Sequence, residues 1–243
     1  DGTTLVVDST NNRVGIGTDS PTESLHILGG ALGLQNGSNA IITGTNHPLV
    51  YATLGTGSGL FGGYGNLVIQ ARDTGTATNS NIVFSTGSGS TERMRIDSTG
   101  AVTKPLQPAF LARPASTQSN IAANNSAVTV VFGTEIFDQN ADFTSNTFTA
   151  PVAGRYQFNY GIYTNALDSA AAYYETALVT SNRTYYMTID PDFGQDNTHW
   201  AFNLAVLADM DASDTARVVI YQNGGTAQTD ITVSSFFSGY LVA

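Results

Sequence analysis

Phe148-Thr149-Ala150-Pro151-Val152-Ala153-Gly154-Arg155-Tyr156-Gln157-Phe158 runs from a proline-broken turn into a segment where large aromatic and polar side chains alternate. Successive side chains of a strand point to opposite faces, so Tyr156, Phe158, Tyr160 and Ile162 share one face, opposite Gln157 and Asn159. The same period recurs on both sides of this stretch. Val128, Val130 and Phe132 share a face, as do Phe202, Leu204 and Val206, while residues 218–221 are apolar on both faces, as expected of a covered strand. Turn signals such as Ala153-Gly154 and Asn223-Gly224-Gly225 separate these runs, and short strands so spaced predict an antiparallel sandwich. Residues 169–178 dissent, because Ala170-Ala171-Ala172 behind an N-cap favours helix on propensity; the surrounding pattern makes the segment a strand. Residues 236–242 should form a buried central strand.

Two prolines in Thr103-Lys104-Pro105-Leu106-Gln107-Pro108 mark the change from Gly/Ser/Thr-rich to aromatic-rich sequence. This predicts a β-rich region over 1–104, a linker over 105–108 and a globular head over 109–243. In the first region, Asn12-Arg13-Val14-Gly15-Ile16-Gly17-Thr18-Asp19-Ser20-Pro21 alternates branched residues with glycine, giving a strand with one bare face that another backbone can approach. Val7-Asp8-Ser9-Thr10 recurs as Ile96-Asp97-Ser98-Thr99, a degenerate internal repeat. Residues 55–65 and 74–80 hold too few apolar side chains to bury much surface. A lone copy hardly offsets a backbone ordering cost of about 1 to 2 kcal/mol per residue, and oligomerisation is the simplest remedy.

The 243 residues carry a net charge of −10, unevenly placed: residues 1–106 hold 7 acidic and 5 basic side chains, residues 107–243 hold 12 and 4. With Lys104 as the single lysine, nucleic acid is excluded as a partner, since phosphate binding needs clustered cations. The acidic balance favours cationic groups, metal cations or neutral sugars. Absence of cysteine excludes disulfides and thiolate metal sites. No apolar run approaches the roughly 20 residues of a membrane span. The start at Asp1 rather than Met suits a fragment whose attachment region lies upstream.

Thr4-Leu5-Val6-Val7-Asp8-Ser9 with residues 12–27 resembles a segment of bacteriophage tail-fibre and tail-spike proteins. Asn66-Leu67-Val68-Ile69-Gln70, Asn81-Ile82-Val83-Phe84-Ser85-Thr86 and Glu92-Arg93-Met94-Arg95-Ile96-Asp97 resemble the same family's companion segments. Pro108-Ala109-Phe110, Phe137-Asp138, Phe143, the stretch at 148–158 and Ser235-Phe236-Phe237-Ser238-Gly239-Tyr240-Leu241 are similar to the C1q-like domain, a ten-stranded jelly roll related to the tumour necrosis factor fold. Ser213-Asp214-Thr215 departs from that family's usual Gly-Asp at the corresponding turn. The resemblances imply an all-β chain: an elongated trimeric shaft followed by an antiparallel jelly-roll head, in a virion, meeting other tail proteins upstream.

Gly57-Ser58-Gly59-Leu60-Phe61-Gly62 matches the dinucleotide fingerprint only formally, because no amphipathic helix follows it. His26, His47 and His199 lack metal-ligand spacing. No nucleophile elbow is present and nothing pairs Asp190, Asp192 or Glu175 as glycosidase carboxylates, so the chain reads as a non-enzyme. Residues 190–197 are the densest set of oxygen ligands, with Asp190, Asp192 and Asp196 as candidate calcium ligands beside the simpler reading of a solvated turn. Trp200, Tyr173, Tyr174, Tyr185 and Tyr186 could stack on sugars, although jelly-roll aromatics more often fill core or interface. Loops at 165–170, 180–183, 190–198 and 222–228 are expected to carry a receptor site, with Asn165, Asp168, Asn182, Arg183, Asp192, Asn197, Trp200 and Asn223 as candidates. The expected function is attachment to a host cell-surface receptor, glycan or otherwise, by a homotrimer. A trimerisation tip, a polysaccharide-degrading spike and a bacterial adhesin are the alternatives.

Overall fold

The computed structural model describes residues 4–22, 24–27, 49–52, 67–70, 80–87 and 91–243. The glycine fingerprint at 57–62, the apolar-poor tract at 55–65, nearly all of that at 74–80, and His47 lie outside the described residues. The described residues are all β, without a helix, and the chain divides into Asp1–Thr103 and Lys104–Ala243. No described helix is long and apolar enough to cross a membrane.

In the first unit β1 (Leu5–Asp8) and β2 (Arg13–Ile16) form an antiparallel hairpin, to which β3 (Leu25–Ile27) adds in parallel with Val14 opposite Leu25. Strands β4 (Leu49–Ala52) and β5 (Leu67–Gln70) pair antiparallel, as do β6 (Ile82–Thr86), β7 (Thr91–Ile96) and β8 (Val102–Thr103) in order. The internal repeat has a structural cause. Each copy places an aspartate at a strand's end, Asp8 as the last residue of β1 and Asp97 just after β7, and its Oδ1 accepts the backbone N–H two residues on, from Thr10 to Asp8 at 3.0 Å and from Thr99 to Asp97 at 2.8 Å, which starts the turn. Within the chain, the bare face of β2 at Gly15 meets the turn that follows: a Cβ there would lie 2.5 Å from the Thr18 carbonyl oxygen. Val7 is 68% exposed, and Leu5, Ile16, Leu25, Val83 and Phe84 are exposed too.

The second unit is a two-sheet jelly roll. One sheet runs β11 (Thr134–Asp138), β9 (Ala109–Arg113), β20 (Phe236–Leu241), β14 (Gly154–Leu167), β17 (Asn197–Met210); its partner runs β12 (Phe143–Thr144), β13 (Thr147–Thr149), β18 (Thr215–Asn223), β15 (Tyr173–Thr180), β16 (Thr184–Ile189). Two-residue strands β10 (Val128–Thr129) and β19 (Asp230–Ile231) add to β18 and β14, beside the ten of the expected roll. Burial follows the sequence period: Tyr156, Phe158, Tyr160 and Ile162 of β14 face Ala216, Val218 and Ile220 of β18 across the core. The Phe110 ring stacks on Phe143 and Phe148 with centroids 4.7 and 5.2 Å away and meets Phe237 edge-on at 5.0 Å. Residues 218–221 differ from expectation: Val218 and Ile220 are buried, Val219 and Tyr221 only half so. Residues 105–108 are no free linker, since Gln107 Nε2 donates to the Leu241 carbonyl at 2.8 Å and Leu241 N–H to that of Pro108 at 3.0 Å.

Candidate functional site

Strand direction sorts the loops of the second unit into two ends. Strand β14 leaves the end that holds residues 104–108 and reaches the opposite one at Leu167, where it pairs with Asn197; β17 and β18 then run back and out again. The loops at 119–127, 168–172, 190–196 and 224–229 therefore gather at the end away from Lys104. The 180–183 turn lies at the other end, against 211–214: Asn182 Nδ2 donates to Asp214 Oδ2 at 2.8 Å, and Arg183 meets Asp209 at 3.6 Å in an exposed pair. Asn182 and Arg183 thus lie at the opposite end of the head from the loops at 168–172, 190–196 and 224–229. Alternation reveals strands but not which end each turn occupies.

The gathered loops are tied together by side chains. Asp168, expected as an exposed contact, is 4% exposed; its carboxylate accepts the backbone N–H of Ala170 at 2.8 Å and that of Thr226, bonding its own loop to the 224–229 loop. That capture explains the local conformation. Held in an Asx turn, the alanines at 170–172 cannot start a helix, and the strand begins only at Tyr173. Asp196 accepts from Ser169 N–H and Oγ, each at 3.0 Å, and from Gln228 Nε2 at 2.7 Å. These bonds, led by the Ser169 amide, hold its carboxyl below the ordinary aspartate range. Asn120 N–H donates to Asp230 Oδ1 at 2.8 Å, and Asn124 Nδ2 to the Gly225 carbonyl at 2.6 Å.

The expected calcium set does not assemble. Asp190 Oδ1 accepts the Asp192 N–H at 3.1 Å, Asp196 is occupied as above, and no cluster of three His, Cys, Asp or Glu side chains placed to hold a metal occurs among the described residues. Among the aromatics, Tyr174 is fully buried, its phenol raised by desolvation despite hydrogen bonds to Thr229 Oγ1 and the Asp168 amide. Tyr160, buried and bonded to Thr176 Oγ1 at 3.0 Å, is pushed up to about 12 by the same cause. Trp200 packs its ring 5.2 Å from Phe193, and its Nε1 is buried without an acceptor among the described residues. Asn165, Asp192, Asn197 and Asn223 stay at the gathered end. The sequence reading passed over Tyr163, 39% exposed, although placing Tyr160 and Ile162 inward on β14 already turns Tyr163 outward.

Towards the Lys104 end, two rows on the outer face of the β14 sheet mix apolar with uncharged polar side chains. One cross-strand row holds Phe137, Leu111, Ser238, Asn159 and Ala205, and the next Ala109, Tyr240, Gln157 and Leu207. Leu207 and Tyr240 are 53% and 48% exposed.

The family model of the C1q domain matches residues 109–242, the whole of this sandwich. The chain belongs to the C1q domain family. Among solved structures, the C1q-domain chain is similar to the globular domain of zebrafish complement 1qA protein, at 17% identity and a TM-score of 0.42, over 56% of this chain and 98% of that one. It is also similar to murine APRIL at pH 8.0, at 10% identity and a TM-score of 0.41, over 56% and 99%. A search of curated protein sequences finds no match.

Proposed function

We propose that the chain is the structural and receptor-binding part of a homotrimeric phage tail fibre, in which the first unit forms a β-rich shaft and the C1q head attaches the virion to the host cell surface. One observation carries the reading: among the described residues of the first unit, Leu5, Val7, Ile16, Leu25, Val83 and Phe84 lie exposed on short strands. Strands so exposed need a covering surface, and copies of the same chain supply one. The half-exposed Leu207 and Tyr240 give the head a similar need. Attachment then works by avidity. Three weak sites on one rigid body raise surface affinity by about 10²–10⁴-fold over a single site.

Light scattering at micromolar concentration should give three times the 25.5 kDa of one chain, and fluorescently labelled protein should adsorb to host cells. A monomer mass overturns the fibre. A trimer that adsorbs to no cell surface leaves the head as a clamp that registers the shaft.

A further inference from the structure

Tyr174, Thr176, Ile220 and Gln222 are buried in the head, so their neighbours Tyr173, Glu175, Tyr221 and Asn223 point out from the opposite face of the β18 sheet. There Tyr173 stands opposite Asn223, and Glu175 stands between Tyr221 on β18 and Thr188 on β16. The two tyrosine rings adjoin, with centroids 5.8 Å apart and planes 32° apart, and Asn223 Nδ2 donates to the Tyr221 hydroxyl at 3.4 Å. Thr188 Oγ1 donates to Glu175 Oε1 at 3.2 Å. This face lies across the sandwich from Leu207 and Tyr240, so the copies proposed to cover those two residues leave it open.

Glu175 is half-buried beside these rings, and no cation among the described residues pairs with it: the ion pairs there are Arg95 with Glu92 and Arg183 with Asp209. Arg217 shares the face but stands four residues along β18 from Tyr221, roughly 13 Å at the rise of a strand. A carboxylate that has lost part of its water gains from a countercharge, and the faces of tyrosine rings attract cations too. Residues 107–243, with 12 acidic and 4 basic side chains, add a field of the same sign. We propose that this face binds a lysine side chain of a receptor polypeptide, its methylene stem along the Tyr173 and Tyr221 rings and its ammonium on Glu175 Oε2, which has no partner among the described residues. An apolar stem that ends in a cation matches rings that adjoin a carboxylate. Arginine fits less well, because its fork engages both carboxylate oxygens and Oε1 already accepts from Thr188. The inference rests on the receptor-binding reading and names the group that is recognised.

Saturation-transfer NMR of the full chain at low salt with the peptide acetyl-Gly-Lys-Gly-amide tests it. The peptide should bind in the millimolar range, and its Nε-acetylated form about fivefold more weakly, the worth of one partly exposed ion pair. Glu175→Gln, which can still accept from Thr188, should weaken binding by the same factor with an unchanged melting temperature. Thr188→Lys, on an exposed residue opposite Glu175, should block the site with an ammonium of the chain's own. Asp211→Asn removes an exposed carboxylate at the other end of the head and should leave binding unchanged. No binding, equal binding of the Nε-acetylated peptide or of acetyl-Gly-Arg-Gly-amide, binding unchanged by Glu175→Gln, or equal weakening by Asp211→Asn overturns the site. Cell adsorption separates the two levels: wild-type protein that adsorbs, equally in the Thr188→Lys variant, sinks the site and keeps the receptor reading, whereas wild-type protein that adsorbs to no cells sinks the receptor reading itself.

Discussion

Gly224 and Gly225 adjoin in one turn with nearly equal backbone angles, φ +70° and +72°, yet their alanine variants should differ several-fold in cost. Either alanine must adopt the left-handed region, at roughly 1 to 2 kcal/mol. At Gly224 nothing lies within 4 Å of the added methyl, so that is the whole effect. At Gly225 the methyl would lie 2.5 Å from Asp168 Oδ2 and 3.0 Å from both the Ala171 nitrogen and Gln222 Nε2. It therefore displaces the buried carboxylate that joins the 168–172 and 224–229 loops. Loss of such charge-assisted bonds adds about 1.5 to 3 kcal/mol, giving roughly 2.5 to 5 kcal/mol in all. For a unit of this size about 1 kcal/mol lowers Tm by roughly 4 °C, so Gly224→Ala should cost about 4 to 8 °C and Gly225→Ala about 10 to 20 °C. Differential scanning calorimetry at one fixed protein concentration reads both, because Tm of the proposed trimer would depend on concentration. Equal shifts in the two variants would refute the role given to Asp168.

Phe237→Ala should destabilise the head by about 3 to 5 kcal/mol, because this fully buried ring lies against Phe110, Phe143 and Phe158; a urea midpoint within error of wild type would contradict that packing. Tyr160 loses its proton at a higher pH folded than unfolded, so its contribution is complete below pH 10 and is lost as pH rises towards about 12; Tyr156 and Tyr174 shift the same way, and thermal scans over that window should show Tm falling. Calcium added to metal-free protein should leave Tm unchanged, since Asp190, Asp192 and Asp196 do not converge, and a rise of several degrees would restore the cation site.

What was legible in the sequence depended on how far each signal reached along the chain. The sandwich was legible because burial on β14 and β18 imposes a period that a single strand displays by itself. The role of Asp168 was not, because an aspartate buried by two loops looks the same in sequence as one in solvent; only its bonds to residues 170 and 226 distinguish them. The shared face of Tyr163, Asn165 and His199 was hidden for a related reason, since it depends on the register of β14 with β17 and no local pattern encodes a register. At Gly15 the bare strand face was legible, whereas its contact with the Thr18 carbonyl, three residues on, depends on how the next turn folds back.

Strand β20, made of residues 236–241, lies between β9 at the start of the head and β14. The first sheet therefore stays split until the ribosome has synthesised almost the entire domain, and β9 waits more than a hundred residues for its inner neighbour. Folding of the head is in this sense a check on translation. A chain that stops early leaves the edges of β9 and β14 unpaired, and such edges are a template for aggregation and a target for chaperones and proteases.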